Sequence, residues 1–279
     1  MANTINLVEK FQPLLDEVYQ SASLTGDLEN SAVKFDGSKT VKILKVTVPP
    51  LGTYTRNSGY TAGSVTADWE AFTLSQDRGT EFSVDAMDDE ETLNMTFGSA
   101  SSEFIRLSVT PQVDAYRFAA MAQASGIGSA SAALTIGDAV VKALSTGMTS
   151  MDEAQVTGEG RILYITPTLH QLVKDMDTYK SQNILSRFAK IVQVPQARFY
   201  SKIDVSETGF AKNEAGKNLN FMIVDPKAVF AVAKHKRLKV FEPEVNQKGD
   251  DYLFQYRLYH DMFVYPNKAA GVYAHLSTT

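Results

Sequence analysis

The sequence predicts an α+β fold in which an extended arm, a long helix and an inserted α/β unit share one chain. Three observations carry that reading. Two strand-like runs, VKILKVTV (41–48) and WEAFTLSQDRGTEFSVD (69–85), flank a polar passage without a clear period. A helical face recurs between residues 87 and 124. Between about 130 and 240 helices alternate with strands, as in an α/β domain, and an antiparallel tail follows.

Composition sets the limits. At 279 residues the chain holds one large domain or two, at about 150 residues per domain. Hydrophobic residues make up 44% and charged residues 21%, a balance that buries a sizeable core. The net charge of -5 argues against nucleic-acid binding as the main task, which leaves a basic footprint. Without cysteine, neither a disulfide framework nor a thiolate metal site is possible, in keeping with a reducing cytoplasm. MANTINLVEKFQPLL lacks the basic stretch and apolar core of a signal peptide. No run approaches the ~18 apolar residues of a membrane span, so no membrane partner is expected.

Taken in order, Leu7, Val8, Phe11, Leu14, Leu15, Val18 and Tyr19 recur at helical spacing over residues 5–21. Pro13 breaks a helix interior, so the helix proper starts near it. SASLTGDLENSAVKFDGSK (21–39) is turn-rich and reads as a linker. The arm follows. In its second limb Phe72 and Leu74, then Phe82 and Val84, share a face at period two. Asp77-Arg78-Gly79 interrupts that limb and reads as a turn or bulge. In the first limb the alternation slips at Leu44-Lys45, while Lys42 and Lys45 discourage stray edge pairing. A long structureless loop is out of place in a compact domain, and a lone two-stranded ribbon is marginal in water. Both objections vanish if the arm lies on another copy of the protein.

Asp88, Asp89, Glu90 and Glu91 suit a helix N-terminus; the spaced oxygen ligands and turn glycine of a calcium loop are missing. Phe97, Phe104, Leu107 or Ser108, Val113, Tyr116, Ala120 and Ala124 mark one helical face. Unbroken, residues 87–124 would span about 57 Å, a spine rather than the core helix of a small domain. Thr110-Pro111 reads as a kink or restart, with Thr110 as N-cap. GIGSASAA (126–133) is a joint of small residues. Thr135 then opens a helix bearing Ile136, Val140, Ala143 or Leu144, Met148 and Met151, with Asp138 placed as in a capping box. RILYIT (161–166) is a buried strand, and Thr166-Pro167 starts the helix PTLHQLVKDM. IVQVPQARFY (191–200) reads as a strand interrupted by Pro195, residues 204–218 as a polar loop and NFMIVD (220–225) as a buried strand. KAVFAVAK (227–234) reads as a short helix and RLKVFE (237–242) as a strand. Tyr252, Phe254, Tyr256, Leu258 and His260 alternate along a strand, and GVYAHL (271–276) forms another. This tail is expected to pack back on the long helix, leaving the α/β domain inserted.

Catalytic chemistry finds no foothold. His170, His235, His260 and His275 stand in separate elements without a ligand spacing such as HExxH. His260-Asp261 has no nucleophile motif beside it. Gly126-Ile127-Gly128 lacks the third glycine of a dinucleotide loop, and Ala215-Gly216-Lys217-Asn218 lacks the first glycine and Ser/Thr of a P-loop. No cofactor is expected. The one basic run, Lys234, His235, Lys236, Arg237 and Lys239, is able to face nucleic acid through phosphate contacts. In an acidic chain such a run is more often a solvated strand edge.

An arm hairpin, a spine helix, an inserted α/β domain and a terminal strand pair in one cysteine-free chain resemble the major capsid proteins of tailed bacteriophages. This is the HK-ninety-seven-type fold that encapsulins share. The resemblance runs from WEAFTLSQDRGTEFSVDAMDDEET through FGSASSEFIRLSVTPQVDAYRFA to DPKAVFAVAKHKRLKVFEP and FQYRLYHDMFVYPNKAAGVYAH. SVTPQVDAYRF and RLYHDMFVYPNKAAGVYAH are its most specific parts. The resemblance implies an N-terminal arm (1–40), an extended hairpin loop (41–85), a peripheral domain with the spine helix (86–129 plus 240–279) and an axial domain (130–239). It implies a structural protein without enzymatic activity, one that self-assembles into pentamers and hexamers of an icosahedral head around double-stranded DNA, bound without sequence specificity. It would be part of the virion, assembled in the host cytoplasm. Lys42, Lys45, Tyr54, Arg56, Tyr60, Trp69, Phe72 and Arg78 are the residues expected to touch neighbouring subunits. Lys234, Lys236, Arg237 and Lys239 are the candidates to face nucleic acid. Only about 40 residues precede the arm, so a separate scaffolding protein and no proteolytic maturation are expected; a portal and a decoration protein are further partners. Some family members link subunits through Lys–Asn bonds, and Lys42, Lys45 and Asn267 stand in the corresponding regions. The alternatives are an encapsulin-like shell and, in a different class, an α/β enzyme with a dimerising arm or a nucleic-acid-binding module.

Overall fold

Ile162–Ile165 (β6) is buried at every position, and alternation sends its side chains into two different cores. Ile162 and Tyr164 face one, Leu163 and Ile165 the other. Both faces of the sheet around β6 are therefore covered, which is why the run reads as uniformly apolar. The computed structural model describes residues 23–29, 35–36, 39–57, 59–87, 96–247 and 249–278. The helix expected at 5–21 and the acidic residues 88–91 lie outside them.

The sheet that contains β6 has five strands: Gly128–Ser131 (β5), Ile162–Ile165 (β6), Lys190–Gln193 (β7), Leu219–Val224 (β10) and Val272–Leu276 (β13), in the order β5-β13-β10-β6-β7. One face packs under the helices Gly137–Glu153 (α3), Pro167–Asp175 (α4) and Tyr179–Ser186 (α5), through Val140, Leu144, Met148, Leu169, Val173 and Ile184. Gly147 lets α3 approach closely, since a Cβ there would stand 2.8 Å from the Tyr273 ring. The other face packs on Phe118 and Met121 of the long helix.

That helix runs as Thr96–Phe104 (α1), a π-helical turn Ile105–Val109, and Thr110–Gln123 (α2), about 42 Å at 1.5 Å per residue. The expected restart at Thr110 does not occur. Residues 104, 109 and 110 all have helical backbone angles. Pro111 has no N–H to give, and the wider π turn just before it takes up the mismatch. The Thr110 hydroxyl donates to the Ile105 carbonyl at 2.9 Å instead of capping. The helix lies on a second sheet of Gln76–Asp85 (β4), Val229–Phe241 (β11) and Asp251–Val264 (β12), in the order β11-β12-β4. Ile105, Val109 and Val113 meet Leu238, Phe254, Tyr256 and Leu258 there.

Phe35–Asp36 (β1), Thr40–Thr47 (β2) and Thr66–Thr73 (β3) form a third sheet. The second limb of the arm is therefore not one strand. Residues 66–73 pair with the first limb, while 76–85 pair with β12. The break falls at Leu74-Ser75, and Asp77-Arg78-Gly79 lies inside β4 without positive φ.

Other expectations change as well. KAVFAVAK is strand from Val229 on. Val229 and Ala231 face one core, Phe230 and Val232 another, and a run buried on both faces shows no distinguishing period. The polar loop at 204–218 contains a hairpin, Ile203–Ser206 (β8) with Gly209–Lys212 (β9). Helix α3 starts after Ile136, without a side-chain cap from Thr135. Helix α5 was not foreseen; Thr178 and Ser181 close a capping box at its start. The tail strand β13 does reach the core around the long helix through Val272 and Ala274, but it pairs between β5 and β10, second from the edge of the five-stranded sheet.

Candidate functional site

Between residues 44 and 69 every described position of the arm except Gly59 is exposed. In the β2–β3 ladder Leu44 stands opposite Trp69 and Val46 opposite Ala67. Alternation puts these on one face, and Leu44, Val46 and Trp69 remain 47%, 53% and 65% exposed. Val48, Leu51 and Val65 extend the apolar surface towards the tip. Lys42 (opposite Ala71) is exposed on the same face, and Lys45 (opposite Asp68) is exposed on the other. At the tip, Thr55 and Gly59 form a bridge, with Gly59 at φ 73. The turn needs that left-handed geometry, which glycine adopts without cost. It brings the Tyr54 and Tyr60 rings to 5.0 Å and leaves Arg56 exposed between them. Burying an exposed Leu or Val stabilises by about 1.5–3 kcal/mol, so this face leaves several kcal/mol of burial unrealised in one subunit.

The root of the arm is held firmly. Val41, Leu74, Phe230, Val232 and Tyr259 form a buried cluster there. Phe72 packs into it, 5.3 Å from Phe230 and 5.2 Å from Phe263. The Tyr259 hydroxyl donates to the Leu74 carbonyl at 2.8 Å. At the branch point the Ser75 amide donates to Asp261 Oδ2 at 2.7 Å, and Asp261 Oδ1 accepts from the Tyr116 hydroxyl and the Met262 amide, each at 2.7 Å. Burial, assisted by the Asp261 charge, pushes the Tyr116 phenol up to about 12, so Tyr116 stays a donor. One carboxylate thus ties the branch point to both the helix and the sheet.

A second anchor holds residues 23–29 on the same helix. Asp114, fully buried, accepts from the Ser23 hydroxyl, the Leu24 and Thr25 amides and the Thr25 hydroxyl, the last at 2.7 Å. Arg117, also fully buried, donates to Thr25 Oγ1 at 3.0 Å and Glu29 Oε1 at 2.6 Å. Burial raises the Asp114 carboxyl, against the hydrogen bonds from Thr25 and Leu24 and the pull of Arg117.

The residues expected to touch neighbours thus fall into two groups. Lys42, Lys45, Tyr54, Arg56, Tyr60 and Trp69 lie together on the exposed arm. Phe72 is committed to the root, and Arg78, on β4, donates to the Ser206 carbonyl and holds the β8–β9 hairpin. Sequence reasoning missed Ser75, Tyr116 and Asp261 as the pin. The available signal was an acid at the end of the otherwise apolar strand YHDMFV. In the basic run, Lys234 lies over the Phe35 ring at 4.9 Å. Arg237 and Lys239 share an exposed face with Arg257, which pairs with Asp77 at 2.5 Å, and with Glu81. That face is mixed in charge. The Asp261 carboxylate is engaged by Ser75, Tyr116 and Met262 rather than by His260, and the described residues hold no group of three or more His, Cys, Asp or Glu placed to bind a metal. No described helix is long and apolar enough to cross a membrane.

No family model matches the chain, and no curated protein matches it in sequence. Solved structures do match. The capsid of cyanophage P-SCSP1u aligns at TM-score 0.61 and 13% identity over 92% of this chain and 89% of that one. The mature capsid of bacteriophage PhiM1 aligns at TM-score 0.62 and 13% identity, covering 88% and 83%. A virus-like particle from Pyrococcus furiosus aligns at TM-score 0.62 and 12% identity, covering 97% and 100%. Identities this low establish a shared fold: the chain has the α+β fold found in phage capsid proteins and in that particle.

Proposed function

We propose that the chain is the major capsid protein of a tailed bacteriophage, a structural subunit that self-assembles into pentamers and hexamers of an icosahedral head enclosing double-stranded DNA. The observation that carries this reading is the arm, an exposed apolar face on a ribbon whose root is rigidly fixed to the body. Such a ribbon is marginal by itself and suits a surface on the next subunit. In this reading 1–40 is an N-terminal arm, 41–85 the extended loop, 86–129 plus 240–279 the peripheral domain and 130–239 the axial domain. The pairing of β13 argues for counting 272–276 with the axial sheet, and the pairing of β4 and β11 with β12 for counting 76–85 and 229–241 with the peripheral domain. The protein acts without catalysis, with a scaffolding protein and a portal as further partners. The net charge of -5 and the mixed-charge face at Arg237 and Lys239 fit DNA that is confined rather than tightly bound.

The likeness to the Pyrococcus furiosus particle supports a second reading, a shell around protein cargo. Negative-stain microscopy of the expressed protein, alone and with the products of neighbouring genes, tests both. Shells, tubes or capsomer rings support assembly, and terminase and portal genes beside it favour the phage head over a cargo shell. A stable monomer with enzymatic turnover sinks the proposal.

A further inference from the structure

A cavity of about 230 Å3 opens where the π-helical turn, β4 and the tip of the β8–β9 hairpin meet. The π turn sets Ser108 and Val109 along it, the kind of helix irregularity that accompanies functional sites. Phe104, Val113 and Leu258 make its apolar wall, and Glu207 stands at the hairpin tip. Arg78 contributes to the lining and, through the Ser206 carbonyl, holds that hairpin in place. His260 also lines the cavity. It is 2% exposed, and its Nδ1 is buried without a hydrogen-bond partner among the described residues. Burial, with Arg117 and Arg78 adding positive charge nearby, pushes this imidazole down to about 3. It is therefore neutral, with one ring nitrogen a donor and the other an acceptor.

Pockets for small molecules usually measure about 300–1,000 Å3. This one suits a single side chain with an apolar body and a polar end, the description of tyrosine. The chain displays such a group: Tyr60, 89% exposed at the tip of the arm, near Arg56. The eight-residue ladder extends about 26 Å from the root at ~3.3 Å per residue, and no described residue of the arm tip lines this cavity in the same subunit.

The geometry points to this cavity as the receptor for the Tyr60 ring of a neighbouring copy, with Arg56 of that copy against Glu207 at the rim. The inference rests on the assembly proposed above and names the contact that closes it. Because the chain has no cysteine, a double variant Tyr60→Cys with Ser108→Cys probes the contact cleanly. Oxidised particles are expected to give a ladder of linked subunits on non-reducing gels, lost on reduction and absent from either single variant above the dimer. Shells whose subunits run as monomers overturn the receptor while leaving the assembly reading intact. If the double variant builds no shells, a charge reversal decides. Glu207→Arg should lower shell yield severalfold and Arg56→Glu in the same chain should restore it; the absence of restoration overturns the pairing. Failure of the unaltered chain to assemble is a failure of the capsid reading instead.

Discussion

Asp261→Asn separates the arm's anchor from everything else in the fold. The amide keeps one acceptor oxygen and turns the other into a donor. Oδ1 serves two donors, Tyr116 and Met262, whereas Oδ2 serves only the Ser75 amide among the described residues. The side chain should therefore orient its oxygen towards the pair and set its NH2 against the Ser75 N–H. The variant loses one charge-assisted hydrogen bond, about 1.5–3 kcal/mol, at the residue where the chain leaves the arm for β4. Urea unfolding of the unassembled subunit measures the loss, and hydrogen exchange locates it. Exchange should quicken at residues 74–76 and stay unchanged in the five-stranded sheet. Shells, if they form, should be fewer and less uniform, since the arm angle is no longer held. A stability change below about 0.5 kcal/mol, within the range of neutral surface substitutions, together with unchanged exchange at Ser75, would refute the assignment of Asp261 as the pin.

Trp69→Glu places a charge in the middle of the exposed apolar face. The subunit should keep its stability within about 0.5 kcal/mol while shell formation by light scattering fails; unaltered assembly removes the arm face from the interface. Asp114→Ala strips residues 23–29 of four hydrogen bonds and removes a carboxylate near the buried Arg117. It is expected to cost about 3–5 kcal/mol and to speed protease cleavage near Thr25. His260 gives a pH signature. Its ordinary value is 6.5 and the folded value about 3, so the unfolded chain binds the extra proton between those limits. Stability should then fall as pH falls through this window, by up to ~1.4 kcal/mol per pH unit. His260→Gln should flatten that slope in urea titrations; an unchanged slope places the proton elsewhere.

The sequence by itself determined the elements whose burial is one-sided or complete and bounded by turn signals. RILYIT, NFMIVD and the alternating strand from Tyr252 all appear as strands, and the helical face at Phe104, Val113 and Tyr116 is on one long helix. The arm was legible for a different reason: VKILKVTV and WEAFTL flank a long passage without a period, and a lone ribbon of that kind is marginal without a surface to lie on. What the tertiary structure alone decided is where each run goes. Residues 76–85 leave the arm because Asp261 and Tyr259 capture the chain at Leu74-Ser75, from about 185 residues downstream. KAVFAVAK is strand because two cores claim its alternate side chains. Thr110-Pro111 continues the helix because a π turn absorbs the missing N–H. GVYAHL joins the five-stranded sheet because β5 and β10 leave a gap of one strand between them. In three of these four cases local propensity was overridden by a partner distant in sequence, and distance in sequence is what a reading of neighbouring residues does not contain; at Thr110-Pro111 the deciding turn is local.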